Sequence, residues 1–194
     1  MSGTASALSN LRLLETMKQR ANIDELTGLY NRRFLEDYGR KLIAIARRKE
    51  SPVGVIMMDL DHFKEFNDRY GHAVGDAALK RFAETAAANM RSTDVIGRLG
   101  GEEFCCLLSY TALEQAERVA ERIRQQVEKT VVEIPGSFER TTVSIGVAST
   151  DPFGYDIYTL MRLADKAVYD AKRQGRNRVV TALPPEERLR LVSG

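Results

Sequence analysis

Two apolar, strand-like runs, roughly residues 94–99 and 103–108, are separated by little more than Gly100-Gly101, within the stretch Arg98-Leu99-Gly100-Gly101-Glu102-Glu103-Phe104. Two glycines there allow a tight hairpin turn whose backbone a large anionic ligand can approach closely. Two carboxylates, Glu102 and Glu103, follow at once, with nothing basic beside them in sequence to neutralise them. Adjacent acids at a sheet turn are electrostatically costly unless a cation or a proton-transfer task holds them there. The spacing suggests a magnesium site next to a phosphate-binding turn, and the plainer alternative is a glycine hairpin with solvated acids.

The rest of the chain supplies a sheet for that hairpin. Val53 to Met58 is a continuous apolar run ending at Asp59, the pattern of a central buried strand. Strands are also expected at 143–148 and 177–181. Helices are expected over 32–48, with Asn31 as N-cap, over a short segment through Tyr70 capped by Asp61, and over about 75–90, 112–129 and 156–173. Gly71 to Gly75 reads as a break. The resulting order is an α/β (α+β) fold, a central mixed β-sheet flanked by helices, with a ferredoxin-like βαββαβ core. Such an arrangement sets the end of the Val53–Met58 strand beside the glycine hairpin, so that Asp59 faces Glu102 and Glu103.

At 194 residues the chain fits one domain, 23–183, between an N-terminal linker or signalling helix within 1–22 and an irregular tail at 184–194. The helix expected over 5–21 is read as a linker that transmits dimerisation from an upstream sensor domain, or as a packed N-terminal arm. With 29 basic and 27 acidic residues, the charge balance gives no signal for nucleic acid or a membrane surface. No apolar run is long enough for a membrane span, and the expected setting is cytoplasmic. Cys105 and Cys106 are strand neighbours that point to opposite faces, which makes them packing residues rather than a disulfide or metal pair.

Three carboxylates converging from adjacent strands resemble a two-metal phosphoryl-transfer site, since magnesium takes one or two carboxylates plus phosphate oxygens and water. Lys64 falls in the first turn of a helix, where backbone N–H groups also favour phosphate. Asn67 and Asp76 offer an amide and a carboxylate to a base edge, and a carboxylate suits the paired N1–H and N2–H₂ donors of guanine.

At this point the chain resembles the GGDEF family of diguanylate cyclases, in its Glu-for-Asp form. Asp24-Glu25-Leu26-Thr27-Gly28-Leu29-Tyr30-Asn31-Arg32-Arg33 resembles the family's opening motif, with Tyr30 where proline is common. Asp59 to Asp76 resembles its D-x-D-x-F-K-x-x-N-D block, with Phe66 in place of a smaller aliphatic, and Ala171 to Asn177 its closing A-K-x-x-G-R-N. The resemblance implies a nucleotide-cyclase palm-like core and the condensation of two GTP into cyclic di-GMP with release of pyrophosphate. It assigns Mg²⁺, with Mn²⁺ as an alternative, to Asp59, the Leu60 carbonyl, Glu102 and Glu103. It makes Glu102 the base and Lys64 a catalytic cation. It places GTP against Phe63, Lys64, Asn67, Asp76, Gly100, Gly101, Lys172 and Arg176.

A two-fold symmetric product made from two identical substrates implies two domains facing each other, each presenting its GTP, hence a homodimer. Arg91-Ser92-Thr93-Asp94, nine residues before Gly100, resembles the family's inhibitory product site, which Arg122 or Arg124 would complete. The competing reading is a catalytically inactive receptor that binds cyclic di-GMP through Arg91 and Asp94. No signature acid or glycine is missing, which favours the enzyme.

Overall fold

The computed structural model describes residues 21–182. The expected N-terminal helix lies outside these residues except for Ala21, which sits in a turn, and the tail at 184–194 lies wholly outside them.

The elements in chain order are β1 (Tyr30–Asn31), α1 (Arg32–Arg48), β2 (Val53–Leu60), α2 (Phe63–Tyr70) and α3 (His72–Ala87). They continue with β3 (Val95–Gly100), β4 (Glu103–Ser109), α4 (Leu113–Lys129), β5 (Val131–Ile134) and β6 (Ser137–Arg140). The last are β7 (Val143–Ser149), α5 (Thr150–Phe153), α6 (Ile157–Arg173) and β8 (Val179–Thr181). The main sheet runs β1-β3-β4-β2-β7-β8. Its inner strands pair antiparallel, while β1 and β8 join parallel at the edges. The order β3-β4-β2-β7 at its centre is the expected ferredoxin-like arrangement.

Alternation along the strands divides the core in two. Ile56, Met58, Leu60, Phe104, Cys106 and Leu108 pack with α3 and α4, whereas Val55, Met57, Cys105 and Leu107 pack with α1 and α6. The two cysteines are free and fully buried on opposite faces, as packing residues should be.

Helix α1 starts where expected, because the Asn31 side chain accepts from Phe34 N at 3.1 Å, and Arg47 and Arg48 lie in its last turn, where the helix dipole favours cations. Three expectations need correction. Asp61 does not cap α2: His62 occupies that position with φ 57° and no side-chain cap, while the Asp61 carboxylate turns inward. Glycine 71 alone breaks the chain, so α3 begins at His72 rather than Gly75. Finally, β1 and the small β5-β6 hairpin occupy segments that carried no strand signal.

Candidate active site

The strand ends bring the acids together. In the antiparallel β2-β4 register Asp59 lies opposite Glu103, and the Glu102 carbonyl accepts from Leu60 N at 3.3 Å. On the sheet face that Asp59 shares with Val55 and Met57, α6 delivers Lys172, whose Nζ is 2.8 Å from Asp59 Oδ2. The Asp59 carboxyl is pushed up to about 6, first by burial and further by the charges of Glu102 and Glu103, against the downward pull of Lys172. Its second oxygen, Oδ1, is buried without a hydrogen-bond partner. A buried anionic oxygen left unpaired is the position a hard cation fills.

Convergence is nevertheless partial, since among the described residues no group of three or more His, Cys, Asp or Glu side chains is arranged as a metal cage. The donors offered are carboxylates and a carbonyl, which suit magnesium completed by substrate oxygens rather than a closed protein site.

Gly100 and Gly101, at φ 149° and 51°, form the turn, and a β-bulge separates Arg98 from Gly100. Both glycines face open space, so it is conformation rather than crowding that calls for them. Sequence reasoning missed what braces this turn. Arg98 donates from Nε to the Gly101 carbonyl at 2.8 Å and from Nη1 to Asp24 Oδ1 at 3.2 Å. Asp24 also accepts from the Thr27 backbone and hydroxyl, so the opening motif and the hairpin are fastened together.

Beside the acids, α2 presents Lys64 exposed in its first turn. Phe63 opens α2, is only 8% exposed, and packs its ring into the core. The side chain of Asn67 lies against Gly75, where an added Cβ would come within 1.7 Å of Asn67 Oδ1. Asp76, the next residue along α3, is exposed beside it. Asn67 Oδ1 is a second buried oxygen without a partner.

Arg176 follows α6 in a turn where Gly175, Arg176 and Asn177 all have positive φ, at 113°, 63° and 45°.

On the far side of the domain, Arg91 and Asp94 share one turn between α3 and β3. Asp94 Oδ2 accepts from Arg91 N at 3.0 Å, while Asp94 Oδ1 is buried without a partner. Arg122 lies against this turn, bonded through Nε and Nη2 to the Asn89 side chain at 2.9 Å and carbonyl at 2.7 Å. Arg124 is committed elsewhere, to Glu121, Glu128 and Asn177.

The sheet order, the flanking helices and the acids at the strand ends define a nucleotide-cyclase-like α+β domain. Residues 21–178 match the model for "Diguanylate cyclase, GGDEF domain", and the chain belongs to that family. It is 42% identical over 159 residues to the response regulator PleD of Caulobacter vibrioides, covering 81% of this chain and 35% of PleD. With the diguanylate cyclase DosC of Escherichia coli it shares 41% identity over 167 residues, covering 85% of this chain and 36% of DosC. The chain thus spans about a third of the length of these relatives. Among solved structures, the coiled coil and GGDEF domain of DgcB from Caulobacter crescentus, in complex with c-di-GMP, superposes with a TM-score of 0.86 at 31% identity. That likeness covers 92% of this chain and 95% of the DgcB chain. Among the described residues no helix is long and apolar enough to cross a membrane.

Proposed function

We propose that this domain condenses two GTP molecules into cyclic di-GMP with release of two pyrophosphates, two copies facing each other across a two-fold axis. The observation that carries the reading is the half-buried Asp59 carboxylate, paired on one oxygen with Lys172, buried and unpaired on the other, and opposite Glu103 in the sheet. Asn67 and Asp76 read the guanine edge, the unpaired Asn67 oxygen accepting from the base and the Asp76 carboxylate from its paired N–H donors. Lys172 and Arg176 grip the β- and γ-phosphates, and Lys64 offsets charge that builds on the transferring phosphoryl group. Glu102 takes the proton of the ribose 3′-hydroxyl, and that oxygen attacks the α-phosphorus of the GTP held by the facing domain as pyrophosphate departs. The same exchange in the opposite direction closes the ring.

Asp59, the Leu60 carbonyl, Glu102 and Glu103 are the residues to hold Mg²⁺, or Mn²⁺ in its place. Bound there, the ion lowers the pKa of an attacking hydroxyl and neutralises charge on phosphate oxygens. Purified protein given GTP and magnesium is expected to yield cyclic di-GMP and pyrophosphate, resolved by chromatography. No product at high protein concentration, together with tight cyclic di-GMP binding, would replace this reading with the receptor.

Product inhibition belongs to the same proposal. Arg91 takes guanine N7 and O6 of cyclic di-GMP, Asp94 accepts from its N–H edge, and Arg122, rather than Arg124, completes the site. Arg91→Ala is expected to raise the product concentration needed for half-inhibition about tenfold or more, from the loss of a bidentate arginine contact. Inhibition curves that superpose for the variant and the parent would remove the site.

A further inference from the structure

The turn that carries Arg176 is one the chain would not adopt unaided. Arg176 and Asn177 are consecutive non-glycine residues in the left-handed region, at φ 63° and 45°. Such strain persists only where the surroundings over-determine the backbone. Two sets of contacts do this. Asn177 N donates to Asp61 Oδ2 at 3.0 Å, and the same carboxylate accepts from Thr142 Oγ1 at 2.7 Å and Ser144 Oγ at 2.6 Å. The Asn177 side chain donates to Glu128 Oε1 and accepts from Arg124 Nη1, both at 2.8 Å. Arg124 is itself fixed by Glu121 and Glu128.

Asp61 is 5% exposed and its three partners are all neutral. A buried carboxylate satisfied by two hydroxyls and a backbone N–H fastens chain segments; no ion pair forms there. It stands two residues beyond Asp59, and Ser144, one of its donors, lies opposite Asp59 in the β2-β7 register. The strand end bearing Asp59 and the turn bearing Arg176 therefore share one anchor.

We infer that Asp61, with the Arg124-Glu128-Asn177 cluster, is a positioning element that holds the left-handed turn so that Arg176 meets the terminal phosphates of the nucleotide. This rests on the proposed GTP site. Asp61→Asn leaves one carbonyl oxygen where the carboxylate offered two and removes the charge that strengthens all three bonds, so the hold on the turn is weakened while the strands remain.

The test compares the affinities of a non-hydrolysable GTP analogue and of GMP by calorimetry in magnesium buffer, with folding followed by circular dichroism. Asp61→Asn is expected to weaken the analogue about tenfold and GMP less than about twofold. Arg176→Ala should show the same split, and the double variant should bind no worse than Arg176→Ala alone, because the two residues act as one unit. Equal weakening of both nucleotides, or multiplicative losses in the double variant, overturns the inference. If Asp61→Asn does not fold, Asn177→Gly serves instead. It keeps the left-handed backbone, drops the amide contacts, and is expected to weaken only the analogue; unchanged analogue binding overturns the inference. A parent protein that shows the analogue-over-GMP preference but makes no cyclic di-GMP would sink the proposed reaction and leave this positioning role standing.

Discussion

Asp59→Asn is expected to lower turnover about a thousandfold, a loss of about 4 kcal/mol of transition-state stabilisation, without lowering the melting temperature of the metal-free protein at pH 7.5. Both halves follow from one half-buried carboxyl. Folding raises its pKa to about 6, with burial as the leading cause. The folded state therefore holds the proton more tightly than the unfolded chain between the ordinary carboxylate range and about pH 6. Stability contributed by this group is present at low pH and lost as pH rises through that window. Above it, the metal-free protein carries a half-buried charge that Lys172 only partly offsets, and an amide removes that burden together with the ion pair. Magnesium should raise the melting temperature of the parent by mass action and leave the variant unmoved. The same titration predicts an acid limb in the parent's activity near pH 6 that moves lower as magnesium increases. Melting curves from pH 4 to 8 with chelator or magnesium check all of this. A variant melting well below the parent at pH 7.5 in chelator would mean that the Lys172 pair is net stabilising.

The hairpin and the order of strands were legible because each rests on local chemistry. Gly100-Gly101 between apolar runs specifies a turn, and Val53–Met58 can only be a buried strand. Long-range partnerships left no such mark. Asp61, just before a short helical segment, has the look of an N-cap, and its true partners lie 81, 83 and 116 residues away. Arg98 finds Asp24 across 74 residues. Strands β5 and β6 are four residues each, and their Glu133, Glu139 and Arg140 interrupt the apolar signal a strand would give. Arg122 and Arg124 are indistinguishable as residue types. Two positions apart on a helix they point about 200° from each other, so only packing decides which reaches the Arg91 turn.

Gly146→Ala should be among the most damaging single-methyl changes in the domain, and it is the position where fold and site meet. Helix α6 crosses β7 so closely that an added Cβ at Gly146 would lie 1.9 Å from the Ala164 carbonyl oxygen and 2.6 Å from Val168 N. Those atoms are helix backbone and cannot swing aside as a flexible side chain would. The helix must then lift off the sheet, opening a core lined by Leu160, Ala164 and Val168. Overpacking of this kind costs about 3 kcal/mol or more, a fall of roughly 6–12 °C in Tm for a domain of this size. Gly75, by contrast, is crowded mainly by the Asn67 side chain, so its substitution should act first on base recognition. Lys172 lies one turn beyond Val168 on α6, so lifting α6 also draws its Nζ away from the 2.8 Å pairing with Asp59. The expected signature is a joint loss of stability and GTP affinity, read by thermal melts and nucleotide binding on the same sample. Retention of both would mean that α6 has room to shift along β7, and that the close contact at Gly146 does not set the distance between Lys172 and Asp59.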